Sequence, residues 1–254
     1  MLPFLIIFTP IIGGLLVYWL PLDDHWRDRL VLAITALTGL LGLYLYSFLR
    51  GEGVVVLAYP RLLPPFGLSF RIDWLSVILV TIASAIWLLV TVYSFDYMRP
   101  STHVNRYHAF TMITFGSTLG TLLGGDLVTL FLFFELMSFA SYVLVIHEGD
   151  PQAMKAGFLY LIMTIGGGLA FLFGVLAVYQ ITGAVAFTEA GFLAVNSPLA
   201  LGAFLGFLIG FGIKAGMFPL HVWLPEAHPV APSPSSALLS GVMLKIGAFG
   251  LLRV

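Results

Sequence analysis

The chain has 254 residues, of which 60% are hydrophobic and only 9% are charged, and its mean hydropathy is +1.04. Soluble domains carry about 25% charged residues, so this composition indicates an integral membrane protein. The net charge of −1 offers no basic surface for nucleic acid. The sequence has no cysteine, which excludes disulfides, iron–sulfur ligation and a thiolate zinc site. We predict no cofactor in this chain, and any redox centre must lie in a partner.

Uncharged runs along the chain predict an all-α protein with about eight transmembrane helices, because about 20 apolar helical residues cross a bilayer. The predicted spans are 1–22, 30–49, 74–95, 107–125, 127–146, 156–188, 190–213 and 227–252. Gly183 predicts that the longest of these helices ends near Gln180, before a surface segment. The first span lacks a basic N-terminal region and a cleavage site, so we interpret it as a membrane helix rather than a signal peptide.

The longest connection, residues 50–72, is interpreted as an extramembrane loop with a short hairpin, since valines lie between glycines and precede a proline-rich stretch. We divide the chain into an N-terminal three-helix segment, residues 1–106, and a five-helix ion-translocating unit, residues 107–254. Lysine and arginine are shared almost equally between the two sides of the membrane. The positive-inside rule therefore only slightly favours an even number of spans with both termini outside.

The lysines of this protein are segregated from its arginines. All three, Lys155, Lys214 and Lys245, lie inside or at the edge of predicted spans, whereas nearly every arginine lies in a loop. A charge at mid-membrane costs at least about 2.5 to 3.5 kcal/mol, so such groups normally face a bundle interior. A desolvated lysine can lose and regain a proton, whereas arginine stays charged, which suits these lysines to proton transport. For Lys155, anchoring to lipid headgroups is an equal alternative.

Glu135 is the acidic residue inside a predicted span and the predicted partner of a buried lysine. Ser138 and Tyr142 lie three and seven residues further along the helix, so one helical face carries the carboxylate with two hydroxyls and can hold water. The alternative is a structural Glu–Lys pair that only fixes helix packing. Asp126 is interpreted as the N-cap of this helix, and His147 as a solvated loop residue.

Two lysines near the C-terminal end lie on either side of a predicted helix interruption. Lys214 is followed by Gly216 and Pro219, a combination that breaks a helix at membrane depth. We expect the carbonyl groups freed there to face water or ions. A new helix starting near Pro234 reaches Lys245 after about three turns, near the middle of the membrane. Snorkelling to the interface would be strained there, so Lys245 is predicted to be a second buried base.

Two histidines, His221 and His228, lie in the interrupted segment. We interpret them as a proton relay, with interfacial packing beside Trp223 as the main alternative. A metal site formed with Glu226 is the least favoured interpretation, because Pro225 disrupts the i, i+4 spacing of helical metal motifs.

Three stretches around these residues closely resemble the antiporter-like membrane subunits shared by respiratory complex I, Mrp-type sodium/proton antiporters and energy-converting membrane hydrogenases. They are YSFDYM, FFELMSFASYVLV and GFGIKAGMFPLHVWLPEAHPVAPSPSSALLSGVMLKIGAFGLLR. The resemblance runs from about residue 70 to the end and implies a fold of two inverted five-helix repeats, each carrying part of an ion path.

The resemblance also implies roles for individual residues. Glu135 matches the acidic residue of the family's fifth helix, Lys214 the lysine of its broken seventh helix and Lys245 the lysine of its eighth. His221 and His228 match the motif histidines. The family usually continues through a second repeat beyond the position of Val254, so we expect another chain to supply the second half-channel, or a shortened subunit that does not conduct alone.

We therefore predict a proton- or sodium-translocating subunit of a multisubunit energy-converting membrane oxidoreductase, with the hydrogenase type favoured. It is expected in the cytoplasmic (inner) membrane, surrounded by lipid and other membrane subunits, with no redox chemistry of its own. In the predicted mechanism, the approach or separation of Glu135 and Lys214 changes how tightly Lys214 holds its proton, which then passes through water towards Lys245. The alternatives are a stand-alone Mrp-type antiporter subunit, a non-conducting structural subunit and a metal-dependent membrane enzyme.

Overall fold

Long helices joined by short loops make up most of the chain. The computed structural model describes residues 1–187 and 197–254, without the side chains of residues 50–52. The described residues form eleven α-helices and two β-strands. In chain order these are α1 (Leu2–Trp19), α2 (Asp24–Tyr44), α3 (Tyr46–Glu52), β1 (Val55–Tyr59), β2 (Leu68–Ile72), α4 (Trp74–Tyr97), α5 (Val104–Leu123), α6 (Leu127–Val145), α7 (Pro151–Thr182), α8 (Pro198–Ala215), α9 (Leu224–Val230), α10 (Ser233–Leu238) and α11 (Leu244–Arg253).

The predicted all-α membrane architecture is confirmed. Seven helical segments in the described ranges are long and apolar enough to cross a membrane. The predicted span around 107–125 is α5, whose 20 residues extend about 30 Å but are more polar than the rest. Its side chains are almost all buried by neighbouring helices, which explains how a less apolar helix is accommodated. By contrast, the outer helix faces expose large apolar residues such as Leu89, Phe158 and Leu169, as contact with lipid requires.

Side-chain caps fix where many of the helices begin. Five helices start after a residue whose side chain accepts a hydrogen bond from the backbone N–H three residues later, which satisfies one of the free donors at a helix start. These residues are Asp23, Asp73, Asp126, Asp150 and Ser197. The predicted N-cap role of Asp126 is therefore confirmed. The predicted end of α7 near Gln180 is also confirmed, since the helix ends at Thr182 and Gly183 adopts a left-handed φ of 70°. The predicted start of the following span, near residue 190, lies outside the described residues.

A two-stranded antiparallel hairpin, β1 and β2, covers one end of the helix bundle and confirms the predicted hairpin. The N-terminal amino group lies 3.2 Å from the Tyr59 hydroxyl in β1. At the other end of the chain, Arg253 makes a bidentate ion pair with Asp73, directly after β2, at 2.6 and 2.8 Å. Residues 1 and 253 therefore lie on the same side of the bundle, as an even number of crossings requires.

Glycines allow α8 to pack closely against two other helices. A Cβ atom on Gly206 would lie 2.5 Å from the Ala170 carbonyl oxygen of α7, and one on Gly210 would lie 2.8 Å from the Gly167 oxygen. On another side of α8, a Cβ on Gly247 of α11 would lie 2.6 Å from the Phe211 oxygen. Small residues permit this approach of backbones in membrane bundles. These contacts fix which face of each helix points towards the interior.

The predicted helix break after Lys214 is confirmed. Gly216 adopts a left-handed φ of 67°, and the N–H groups of Gly216 and Met217 bond to the carbonyls of Ile213 and Gly212. This is a Schellman cap, which ends α8. Short helices α9 and α10 follow, and α10 begins at Ser233, close to the predicted start at Pro234. A π-helical turn, Leu239–Met243, joins α10 to α11.

Candidate ion-translocation site

Lys214 is buried between three helices, as predicted. Its side chain is in the last turn of α8, and the residue is 2% exposed. The ammonium group donates hydrogen bonds to the Ser138 hydroxyl of α6 at 3.2 Å and to the Tyr160 hydroxyl of α7 at 2.8 Å. The close packing of α7 and α8 brings the lysine within reach of both helices.

The hydroxyls around Lys214 form an ordered chain of hydrogen bonds. Tyr160 accepts from the lysine and lies 2.6 Å from the Ser141 hydroxyl, which donates to the Ser138 carbonyl. Since the Ser141 proton is already directed at this carbonyl, Tyr160 must donate to Ser141. The bonds therefore run in one direction, from Lys214 through Tyr160 to Ser141. Hydrogen bonds in a chain of this kind polarise and strengthen one another.

Glu135 lies one helical turn before Ser138 on α6, and its carboxylate faces α7. A Cβ atom on Gly168 of α7 would lie 2.5 Å from Oε1 and 2.7 Å from Oε2 of Glu135, so the carboxylate rests directly on this glycine. Oε1 is buried and has no hydrogen-bond partner among the described residues. Within the same residues, Glu135 and Lys214 form no direct ion pair, although the lysine charge acts on the carboxyl group. A buried carboxylate oxygen without a partner is costly and rare in folded proteins, so its presence here calls for a functional or structural explanation.

Trp223 closes the site from the interrupted segment. Its ring packs edge-on against Tyr160 at 4.9 Å between centroids, and its indole N–H donates to the Ile213 carbonyl at 2.8 Å. The expectation that carbonyls freed by the break face water is therefore wrong for Ile213, because the Trp223 indole takes that acceptor. Tyr160, Ser141 and Trp223 were not predicted as site residues from the sequence. A single tyrosine within the apolar run GFLYLIM was the available signal for Tyr160.

The two histidines lie in the interrupted segment but make different contacts. Nδ1 of His228 lies 2.6 Å from the Ser236 hydroxyl of α10. Nδ1 of His221 is buried without a hydrogen-bond partner in the described ranges. Glu226, the third residue of the possible metal site, is exposed. Across the described chain, no group of three or more His, Asp and Glu side chains is placed to hold a metal ion.

The structure does not bring the other two lysines to this site. Lys155 is exposed in the first turn of α7. The prediction that Lys245 is buried is wrong for this chain, because its side chain is exposed and folds back to donate to the Ser240 carbonyl. Gly247 and Gly250 direct one face of α11 towards α8. Lys245 precedes Gly247 by two residues, or about 200° around the helix, and so points away from α8.

Residues 124–254, just over half of the chain, match the family described as "NADH:quinone oxidoreductase/Mrp antiporter, TM". The chain belongs to this antiporter family. Residues 65–108 match a second family, described as "NADH-Ubiquinone oxidoreductase (complex I), chain 5 N-terminus". The predicted relationship to complex I and Mrp antiporters is thereby confirmed, and the hydrogenase relative described next confirms the relationship to membrane hydrogenases.

Two curated relatives of this antiporter family member are a hydrogenase component and an antiporter subunit. "Hydrogenase-4 component B" of Escherichia coli (strain K12) is 36% identical over 236 residues, covering 89% of this chain and 35% of the relative. "Putative antiporter subunit mnhD2" of Staphylococcus aureus (strain MRSA252) is 30% identical over 250 residues, covering 96% of this chain and 49% of the relative. The chain therefore spans less than half the length of these two relatives.

Two solved structures share the fold of this antiporter family member. A chain in the membrane-bound sulfane sulfur reductase, an archaeal respiratory membrane complex, aligns with a TM-score of 0.86 and 21% identity, over 99% of this chain and 52% of that chain. A chain in the Mrp complex from Dietzia sp. DQ12-45-1b aligns with a TM-score of 0.85 and 23% identity, over 100% of this chain and 28% of that chain.

Replacing Gly168 by alanine is expected to reduce ion transport at least tenfold, because the added methyl group would displace the Glu135 carboxylate. Gly166, two residues earlier on α7, has no neighbouring atom within 4 Å of the position that an added Cβ would take, and it provides the matched control. Transport in vesicles that contain the assembled complex would be compared for the two alanine variants. Equal rates for both variants would contradict the placement of Glu135 in the path.

Proposed function

We propose that this chain is a proton- or sodium-translocating subunit of a multisubunit energy-converting membrane oxidoreductase in the cytoplasmic membrane. The observation that carries the proposal is Lys214, a buried lysine whose hydrogen bonds end on neutral hydroxyls rather than on a carboxylate. An ionisable residue inside a membrane bundle marks an ion path by default. Residues 107–254 would form the translocating unit, and residues 1–106 would pack beside it.

In the proposed mechanism, Glu135 and Lys214 control each other's protonation. When the carboxylate is ionised and close, it stabilises the ammonium form of Lys214. When it is protonated or moves away, Lys214, held in position by the hydroxyls of Tyr160 and Ser138, releases its proton through water towards Lys245. Two unit charges 4 Å apart interact by about 4 kcal/mol at an effective dielectric constant of 20. Moving one charge against 100 mV costs about 2.3 kcal/mol, so a small change in their separation is sufficient.

Lys245 provides the proposed connection to the rest of the path. It lies in a span but is exposed on this chain, beside an apolar groove lined by Leu79, Ile82, Leu122 and Val242. An ammonium group facing lipid there would cost about 2.5 to 3.5 kcal/mol. We therefore infer that another membrane segment, supplying the second half-channel, covers this face and presents a polar partner to Lys245.

Three further residues have proposed secondary roles. His221 and His228 lie in the interrupted segment after α8, where they can pass protons between the Lys214 site and solvent. Lys155 lies near the start of α7, where it either receives ions or anchors the helix at the headgroups.

The hydrogenase type is favoured among the possible complexes because Hydrogenase-4 component B is the more similar of the two relatives, at 36% against 30% identity. The second candidate is a subunit of an Mrp-type antiporter, supported by the relationship to the mnhD2 subunit. A non-conducting structural subunit is the third, in which Glu135 and Lys214 only hold helices together.

The test replaces Glu135 by leucine and Lys214 by methionine in the same protein. Replacing buried ionic groups by apolar residues is often neutral or stabilising, so assembly of the complex should persist. A translocating subunit would lose ion transport to the background of empty vesicles, whereas a structural subunit would keep it. The control is Arg99→Met, which removes an exposed basic side chain that has no proposed role in transport.

A further inference from the structure

A second group of buried polar side chains lies where α5 begins and α6 ends, apart from the hydrogen-bond chain at Lys214. Tyr107, His108, His147 and Ser235 are each at most 2% exposed. The prediction that His147 is a solvated loop residue is therefore wrong. Each of the four has a buried polar atom without a hydrogen-bond partner among the described residues: the Tyr107 and Ser235 hydroxyls, Nε2 of His108 and Nδ1 of His147.

This concentration of unpaired polar atoms needs a physical explanation. Leaving one buried donor or acceptor unpaired costs about 1 to 3 kcal/mol, and folded proteins have only a few such atoms per hundred residues. Met98 and Leu144 supply apolar packing around Tyr107, which explains the aromatic ring but not its buried hydroxyl. Buried polar atoms of this kind are normally satisfied by water.

The group is continuous from the surface to the interrupted segment. At the outer end, Nε2 of His147 lies 3.1 Å from the hydroxyl of Ser101, a half-buried residue in the loop between α4 and α5. The His147 ring packs edge-on against Tyr107, with 5.4 Å between centroids. Ser235 lies close enough to act on the Tyr107 hydroxyl, although the two side chains form no hydrogen bond. The hydroxyl of Ser236, the residue after Ser235, lies 2.6 Å from Nδ1 of His228.

Burial, together with the charges around the outer end, keeps His147 neutral. Burial lowers its pKa to about 4, with the Arg106 charge acting in the same direction, and His103 adds to this effect. Arg106 also donates to the His147 carbonyl at 2.8 Å. Behind Tyr107, His108 lies near both Arg27 and His147. A neutral imidazole has one donor nitrogen and one acceptor nitrogen, so His147 can receive a proton on one side of its ring and release it on the other.

We propose that His147, Tyr107 and Ser235 line a narrow, hydrated proton passage from the loop at Ser101 to His228. This inference rests on the proposed function, for which it supplies the access route on the side of the membrane where α8 is interrupted. Residues of three different segments converge here, since His147 follows α6, Tyr107 is on α5 and Ser235 is on α10.

Water access can be measured directly, because the sequence contains no cysteine. In the Ser235→Cys variant, the small hydrophilic reagent 2-hydroxyethyl methanethiosulfonate would be added to vesicles and labelling of this subunit followed by mass spectrometry. Only a thiolate reacts, and a dry apolar site suppresses its formation. We expect labelling at least tenfold faster than for Ser117→Cys, a fully buried control on α5 whose parent hydroxyl bonds to the Ile113 carbonyl. Equal rates would overturn the proposal.

Transport provides the second measurement. Tyr107→Phe keeps the ring and removes only the hydroxyl, so a role in packing alone predicts a rate within twofold of the parent protein. A passage predicts at least a tenfold loss with normal assembly of the complex. Tyr97→Phe, at an exposed position at the end of α4, is the control.

Lys214→Met, measured in parallel, separates the passage from the proposed function. If Lys214→Met abolishes transport and Tyr107→Phe does not, the passage is wrong and the function stands. If Lys214→Met transports normally, the function fails, while Ser235→Cys labelling still decides whether the passage is hydrated.

Discussion

Replacing Lys214 by arginine is expected to abolish ion transport, although it preserves the positive charge. Arginine stays protonated under any realistic condition, so it cannot release a proton as the proposed mechanism requires. A purely structural charge would tolerate this change much better. Transport would be measured as proton uptake or sodium flux in vesicles containing the assembled complex, and we expect rates indistinguishable from empty vesicles.

Two further variants, measured alongside Lys214→Arg, make its result interpretable. Lys214→Met removes the charge with little change in side-chain length, and its loss of transport alongside an assembled complex would exclude simple overpacking by arginine. Arg99→Lys makes the reverse exchange at an exposed position without a proposed role and should stay within twofold of the parent protein. Near-normal transport by Lys214→Arg would show that proton release from residue 214 is not part of the mechanism.

Replacing Asp73 by asparagine is expected to cost about 3 to 5 kcal/mol in the free energy of unfolding, because it leaves a buried guanidinium group unpaired. Asp73 is 7% exposed and receives hydrogen bonds from Arg253, Arg71 and the Ser76 N–H. Asparagine is as good an N-cap as aspartate, so the start of α4 is kept, while the charge and one of the two acceptor oxygens are lost. Unfolding of the purified protein in mixed detergent micelles, followed by tryptophan fluorescence, would measure the change.

The pH dependence of stability gives an independent check on this pair. Burial alone would raise the pKa of Asp73, but the hydrogen bonds and charge of Arg253, with the Ser76 N–H and Arg71, hold it well below the usual 3.8. The stabilisation is therefore complete above about pH 4 and is lost as the pH falls towards the lower, folded pKa. The Asp73→Asn variant should lack this component of acid sensitivity.

Two controls distinguish the buried pair from ordinary surface charges. Adding Arg253→Met to Asp73→Asn should recover part of the lost stability, because the unpaired charge is removed. Asp96→Asn breaks an exposed pair with Arg99 at 3.4 Å and should have little effect. If the double variant were no more stable than Asp73→Asn alone, the cost would not arise from the unpaired Arg253.

Local sequence patterns determined the class of the protein and most of its helices. Apolar runs of the right length predicted the spans, since burying apolar surface in lipid depends on composition alone. Asp126 and Gly183 predicted a helix start and a helix end, because capping involves residues within one turn. Gly216 and Pro219 likewise predicted the break after Lys214, and the bilayer cost of an ammonium group predicted that Lys214 is buried.

Tertiary packing decided which of the ionisable groups meet. Lys214 reaches Tyr160 and Ser138, which are 54 and 76 residues away in the chain, because glycines let α7 and α8 approach closely. Asp73 and Arg253 are separated by 180 residues. No local pattern encodes such pairs, since they depend on how whole helices pack.

The same distinction explains the two wrong predictions of burial. Depth along a span can be counted from the sequence, and that count placed Lys245 near mid-membrane. The face of α11 that turns inward depends instead on the contacts of Gly247 and Gly250 with α8, and these leave Lys245 outside. His147 lies in a loop by sequence but is covered by Tyr107 and the Ser101 loop. Length and composition fix whether and where a helix crosses the membrane, whereas its rotation and neighbours are fixed only by packing.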